Sequence, residues 1–229
     1  MATLAPTHAR ITADEFWRLC ADGKPRELVR GQVVETMPAG FEHGRVAQWV
    51  ATQLTLYQQQ IRQYLGEVVV ETGFVIRYPD SESVRAPDVA FIRKERLPDP
   101  RPHTFAEFAP DLVVEVVSPN DAYSAIRDKV EEWLHAGAAV VWVVDPLRRA
   151  VEVFRLDAPV ETLREGDTLT CESLLPGFAL PLTTLFGGLQ EQLYQSPIQK
   201  MPSSFRFPPL REGNQAARLF GSPCGQGEP

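Results

Sequence analysis

The chain has little from which to build a covalent or zinc-stapled framework. Among 229 residues only three are cysteine (Cys20, Cys171 and Cys224) and four are histidine (His8, His43, His103 and His135). The cysteines are odd in number and scattered, and neither residue type falls at ligand spacing. A disulfide scaffold and a zinc site are therefore excluded, and a reducing cytoplasm is the expected location. Long hydrophobic runs are also missing. The longest, residues 138–144, is far too short to span a bilayer. Residues 1–10 hold no apolar stretch that could serve as a secretory signal. Nor is there a basic excess. A formal net charge of −7 weighs against indiscriminate nucleic-acid binding. It leaves room for a local basic groove, and acids gathered at a metal site would lower the total. What remains, 44% hydrophobic and 23% charged residues, describes an ordinary globular protein with one sizeable core and an appendage.

Thr12-Ala13-Asp14-Glu15 fits a capping box and predicts a short helix that carries Phe16, Trp17 and Leu19 toward the core and ends at Asp22-Gly23. Residues 26–37 predict a hairpin turning at Arg30-Gly31. Val46, Val50, Leu54, Tyr57, Ile61 and Leu65 recur at intervals of three and four, predicting a long amphipathic helix from Phe41 that stops at Gly66. Strands are predicted over 67–77 and 84–92, the second with Pro87 near its start, where a missing amide does least harm. The proline-rich 93–110 reads as a loop.

Two stretches, 111–117 and 138–144, are apolar on both faces, as expected of strands covered from both sides. A helix over 121–136 joins them, so they should be parallel, with a right-handed crossover. A half-exposed strand at 150–156, one short strand within 160–170 and an ordered closing segment at 174–185 complete a domain spanning 1–190. Residues 191–229, rich in Pro, Gly, Ser and Gln, read as a mobile extension. The expected class is α/β, a mixed sheet flanked by helices on both faces.

Three charged residues fall in awkward places. Glu115 stands in the middle of an apolar strand, where an unpartnered carboxylate costs several kcal/mol. Either it is paired internally or it lies at an opening and binds a cation or substrate. Asp88 heads the apolar stretch 88–92. Lys129 stands roughly 60° from Ile126 on a helix whose apolar stripe holds Ile126, Val130, Trp133 and Leu134, while Asp128, Glu131 and Glu132 point elsewhere. Two carboxylates on neighbouring strands suit a hard divalent cation such as magnesium, with manganese as a substitute. Such an ion could hold a phosphodiester oxygen and acidify a water, and Lys129 would orient that water or neutralise charge building on phosphorus. Glu27, on the first hairpin, is a plain hairpin residue or adds a ligand or aligns a water. His43 caps a loop, faces solvent or joins the site.

These residues carry a resemblance. Arg26 to Gly31, the His43 region, Arg85-Ala86-Pro87-Asp88-Val89-Ala90-Phe91, residues 109–119 around Glu115, Lys129, Gly137, Trp142-Val143-Val144-Asp145-Pro146 and Leu175-Pro176-Gly177-Phe178 together resemble the restriction-endonuclease domain of the bacterial Uma-two family, within the PD-(D/E)xK nuclease superfamily. The usual superfamily lysine lies two residues after the second acid, where this chain has Val117. Uma-type proteins carry it on the following helix, at the position of Lys129. The resemblance implies a restriction-endonuclease-like core, magnesium-dependent hydrolysis of DNA with Asp88 and Glu115 on the metal and Lys129 and Glu27 in the catalytic set, and a homodimer.

Two other readings stay open. The same fold can be a catalytically silent module that binds nucleic acid or protein, or an assembly protein in which Asp88, Glu115 and Lys129 form a buried ion-pair cluster. For DNA contact, Arg77, Arg85, Arg93, Lys94, Arg96 and Arg101 lie in one segment, interleaved with Asp80, Glu82, Asp88, Glu95 and Asp99. The small surplus could flank a phosphate backbone, though such a run is more often a solvated face.

Overall fold

Residues 10–119 and 121–187 are described by the computed structural model; the extension assigned to 191–229 lies outside the described residues. The capping box forms as the sequence predicts. Thr12 Oγ1 accepts from the Glu15 amide, and the Glu15 carboxylate accepts from the Thr12 amide, opening α1 (Ala13–Leu19). The helix is too short to bury more than one face. Ala13 and Phe16 enter the core, whereas Trp17 and Leu19 stay exposed, Trp17 leaning edge-on against Phe105.

The hairpin of β1 (Arg26–Val29) and β2 (Gln32–Glu35) turns where expected. Arg30 and Gly31 both take positive φ, 50° and 79°, as a two-residue turn matched to strand twist requires. The long helix α2 (Phe41–Gln60) ends a turn earlier than its apolar period suggests. Arg62 adopts positive φ, and the Gln58 side chain takes the Leu65 and Gly66 amides, steering the chain into a strand.

The two strands expected at 67–77 and 84–92 are each divided in two. The first becomes β3 (Gly66–Val70) and β4 (Phe74–Arg77), the second β5 (Glu82–Arg85) and β6 (Val89–Arg93). The first break falls at Glu71, which has φ of 48°, and at Gly73, where an added Cβ would sit 2.4 Å from the Phe105 ring. The second falls at Pro87-Asp88, because proline has no amide for the ladder. Each broken strand contributes one half to each of two sheets.

One sheet has four strands in the order β2-β1-β5-β4. The other has six. Its further members are β7 (Leu112–Val116), β8 (Val140–Asp145), β9 (Ala150–Phe154) and β10 (Glu161–Arg164), in the order β10-β9-β8-β7-β6-β3. β7 and β8 are parallel, joined by α3 (Tyr123–His135) as the βαβ pattern predicts.

Alternation divides β7 between two cores. Leu112, Val114 and Val116 pack with Val46, Val50 and Leu54 of α2, and Val113 packs with Ile126, Val130 and Trp133 of α3. Strand β9 is more buried than its alternation suggests, because it lies between β8 and β10 with both faces covered. The region 160–170 holds two strands, β10 and β11 (Thr168–Thr170), and β11 pairs with β12 (Ala179–Pro181) ahead of α4 (Leu182–Gly187). This closing segment seals the α2 face with Leu175, Phe178, Leu180 and Leu185.

Candidate active site

The break at Pro87 sets the geometry of the site. The last residue pair between β6 and β7 is Val89 opposite Val114. One step further along the same register, Asp88 comes level with Glu115. The Val116 amide, which would have bonded to a continuing strand, donates instead to Asp88 Oδ2 at 2.6 Å. The carboxylate is thus pinned at the sheet's end by a hydrogen bond to backbone.

Glu115 points to the α3 face. Its Oε1 accepts from the Trp133 indole Nε1 at 2.8 Å, and its Oε2 lies 3.6 Å from Lys129 Nζ. The same Nζ is 3.5 Å from Glu27 Oε1. Glu27 Oε2 accepts from Arg85 Nη1 at 2.8 Å, and Arg85 Nε donates to Glu132 at 2.7 Å. Glu27 therefore has a cation against each oxygen. Glu132, which the helical period sets apart from the buried stripe, in fact turns into this network, because the four-stranded sheet brings Arg85 up to α3. Glu115, Lys129, Val116, Val117, Asp121, Ala125 and Ile126 line a small cavity of about 60 Å³.

Burial pushes the Glu115 carboxyl up to about 7. Lys129 and the Trp133 hydrogen bond work against this, and the negative charges of Asp88 and Glu27 add to it. For Lys129, burial favours the neutral amine, but Glu115 and Glu27 more than reverse that, so its pKa is raised and the ammonium persists. Among the described residues no three or more of His, Cys, Asp and Glu are grouped so as to enclose an ion. A pair of carboxylates is nevertheless what magnesium uses when it keeps several waters. Glu115 Oε1 accepts from the indole, and Oε2, beside Lys129 Nζ, keeps lone-pair capacity for an ion; a divalent charge there would relieve the repulsion between Asp88 and Glu115. The donor set fits.

Sequence reasoning left two neighbours unassigned. His43 Nε2 lies 3.3 Å from Asp88 Oδ1, while its Nδ1 is buried without a hydrogen bond. The bond to Asp88, opposed by burial, raises the imidazole's pKa. Its place at the start of α2 was the available signal. Trp133 was legible only as an apolar stripe residue; nothing in the spacing marks its indole as Glu115's donor.

The cations of the basic segment are paired with neighbouring carboxylates. Arg85 is buried between Glu27 and Glu132, Arg93 and Arg96 both hold Asp111, Arg77 pairs with Glu107 and Glu82, Arg101 pairs with Glu67, and Lys94 lies near Glu95. The carboxylates interleaved or packed beside these cations take them up. No helix among the described residues is long and apolar enough to cross a membrane.

A solved structure described as "a putative nuclease belonging to DUF820 from Anabaena variabilis ATCC 29413" shares the fold. It matches with a TM-score of 0.65 and 21% identity, over 77% of this chain and 98% of that one. No curated protein matches the chain. The family model Uma2, described as "Putative restriction endonuclease", matches residues 13–183, a span that contains Glu27, Asp88, Glu115 and Lys129. The chain belongs to the Uma2 family.

Proposed function

We propose that the protein is a metal-dependent endonuclease that hydrolyses DNA phosphodiester bonds. The observation that carries this reading is the position of Lys129 Nζ, 3.6 Å from Glu115 Oε2 at a small cavity they both line, on the strand next to Asp88. Asp88 and Glu115 would hold magnesium or manganese. When bound, such an ion supplies positive charge that polarises the phosphodiester and lowers the pKa of a water.

The remaining work falls to side chains. Lys129, kept protonated, cannot act as a base. It donates hydrogen bonds, which orients the attacking water and offsets charge developing on the phosphate oxygens. Glu27 positions Lys129 and is itself fixed by Arg85, so the ammonium is held from two sides. Trp133 fixes the rotamer of Glu115. In a homodimer, two such sites would cut both strands of a duplex; sedimentation equilibrium measures that state.

The test is nicking of supercoiled plasmid with magnesium by the wild type and by Glu115→Ala. Loss of nicking in the variant is expected, and equal residual nicking in both would end the assignment. A silent binding module is the second reading, favoured by the internal pairing of the basic segment. It predicts no uptake of manganese by calorimetry with nucleic-acid or protein binding retained.

A further inference from the structure

A groove of about 400 Å³ continues from the Glu115 cavity and shares Val117, Asp121 and Ile126 with it. Its course follows from sheet register. Glu115 is opposite Val143, Val143 opposite Glu152, and Glu152 opposite Thr162, so one row of residues leads from the site across β8, β9 and β10. Val143, Glu152 and Thr162 of that row line the groove. It lies at the carboxyl ends of the two parallel strands, the place where open α/β sheets bind ligands.

The walls carry an exposed aromatic ring and exposed cations. Tyr123, at the start of α3, is 52% exposed, and its hydroxyl is held by Glu152 at 3.3 Å. Leu147, 74% exposed, stands on the β8–β9 turn. Arg148 and Arg164 are exposed; Arg148 reaches only a 3.6 Å contact with Asp145, and Arg164 is exposed on the edge strand β10. The acids here are each held by a neutral hydrogen-bond donor, which orients the carboxylate and leaves its charge in place. Asp121 accepts from the Ser118 amide, Asp145 from the Arg148 amide, and Glu152 from Tyr123.

We propose that this groove binds an unpaired nucleotide of the substrate strand next to the bond that is cut, with its base stacked on Tyr123 and its flanking phosphates on Arg148 and Arg164. The proposal rests on the nuclease reading for its direction but makes a separate claim. A space of about 400 Å³ suits one extruded nucleotide, in the way enzymes take a single base out of the stack into a pocket. An aromatic platform combined with cations along the backbone path is how single strands are held. The substrates so defined are nucleic acids with unpaired positions at the cut, such as overhangs, flaps or melted segments.

The experiment is fluorescence anisotropy with a labelled 20-nucleotide oligo-dT and a matched duplex, in EDTA so that no cutting occurs. The wild type should bind oligo-dT more tightly than the duplex. Tyr123→Ala should weaken oligo-dT binding roughly 5- to 150-fold, the range for one lost stack, and Tyr123→Phe should restore it. Arg148→Ala with Arg164→Ala should lower affinity and flatten the salt dependence by about 0.7 per lost phosphate contact. Wild-type affinity in the Tyr123→Ala and double-arginine variants, or equal affinity for duplex and single strand, overturns the groove assignment. Those outcomes leave nicking by the Glu115 site untouched. Conversely, absence of nicking with the Tyr123 and arginine effects intact refutes catalysis and keeps the groove.

Discussion

Replacing Glu115 by Gln in metal-free protein should flatten part of the pH dependence of stability. Glu115 is raised from 4.5 to about 7 by burial, with Asp88 and Glu27 adding to the shift. Between those values the unfolded chain has lost this proton and the folded protein retains it. Stability from this group is therefore fully present below pH 4.5 and is lost as pH rises through about 7. Each pKa unit is worth about 1.4 kcal/mol, so the window carries about 3 kcal/mol. In Glu115→Gln the titration is gone and the amide still accepts from Trp133. His43 is also raised, and its contribution falls with pH in the same direction, but it is common to both proteins and cancels in the difference. Lys129 is raised from an already alkaline value and does not titrate in this range. Urea unfolding in EDTA at half-unit steps from pH 4.5 to 8 measures the effect. The stability of Glu115→Gln relative to wild type should climb by about 3 kcal/mol across the series. Parallel curves would refute the claim that the carboxyl is protonated near neutrality in the metal-free protein.

Arg85→Met should destabilise by about 3–5 kcal/mol, because it leaves the buried Glu27 and the half-buried Glu132 with one cation fewer; a shift in the urea midpoint reads this. Gly66→Ala should cost at least about 2 kcal/mol, since the new Cβ would sit 2.0 Å from the Ile92 carbonyl oxygen, which is backbone and cannot swing away; an unchanged thermal midpoint would contradict it. Lys129→Met should abolish plasmid nicking while manganese still binds by calorimetry. Adding Val117→Lys to that variant should restore part of the nicking, because residues 115 and 117 point to the same side of the strand and both border the Glu115 cavity. No recovery in a folded double variant would show that delivering a charge is not enough and that the contact with Glu27 is required.

What the sequence made legible was local. The capping box, the Arg30-Gly31 turn and the parallel pair joined by α3 all follow from short-range chemistry, and all are present. The carboxylate in an apolar strand and the lysine beside an apolar stripe were visible as conflicts between residue type and burial. The two divided strands were not: Glu71-Thr72-Gly73 and Ala86-Pro87-Asp88 interrupt the apolar runs, but so short an interruption is also compatible with one strand, and only the partner strands reveal that the halves belong to different sheets. Glu132 and Trp133 escaped for the same reason. Their roles depend on Arg85 and Glu115, which reach α3 from two different sheets.

The divided strand also explains how lysine can stand on the helix. Had 82–93 continued as one strand, Arg85 would lie in the six-stranded sheet and the hairpin bearing Glu27 would have no edge to join. Breaking at Pro87 turns β5 into the second sheet, where Leu28 of β1 pairs with Val84. That pairing brings Glu27 to the α3 face, against Lys129 and Arg85. A flexible lysine on a helix would otherwise sample many rotamers, and ordering such a side chain costs about 1.5–2 kcal/mol. Glu27 and Glu115, facing Nζ from different sheets, confine it between them. The bend that places Asp88 level with Glu115 is thus the same bend that supplies the support for Lys129, so the acids and the amine are positioned by one event in the backbone.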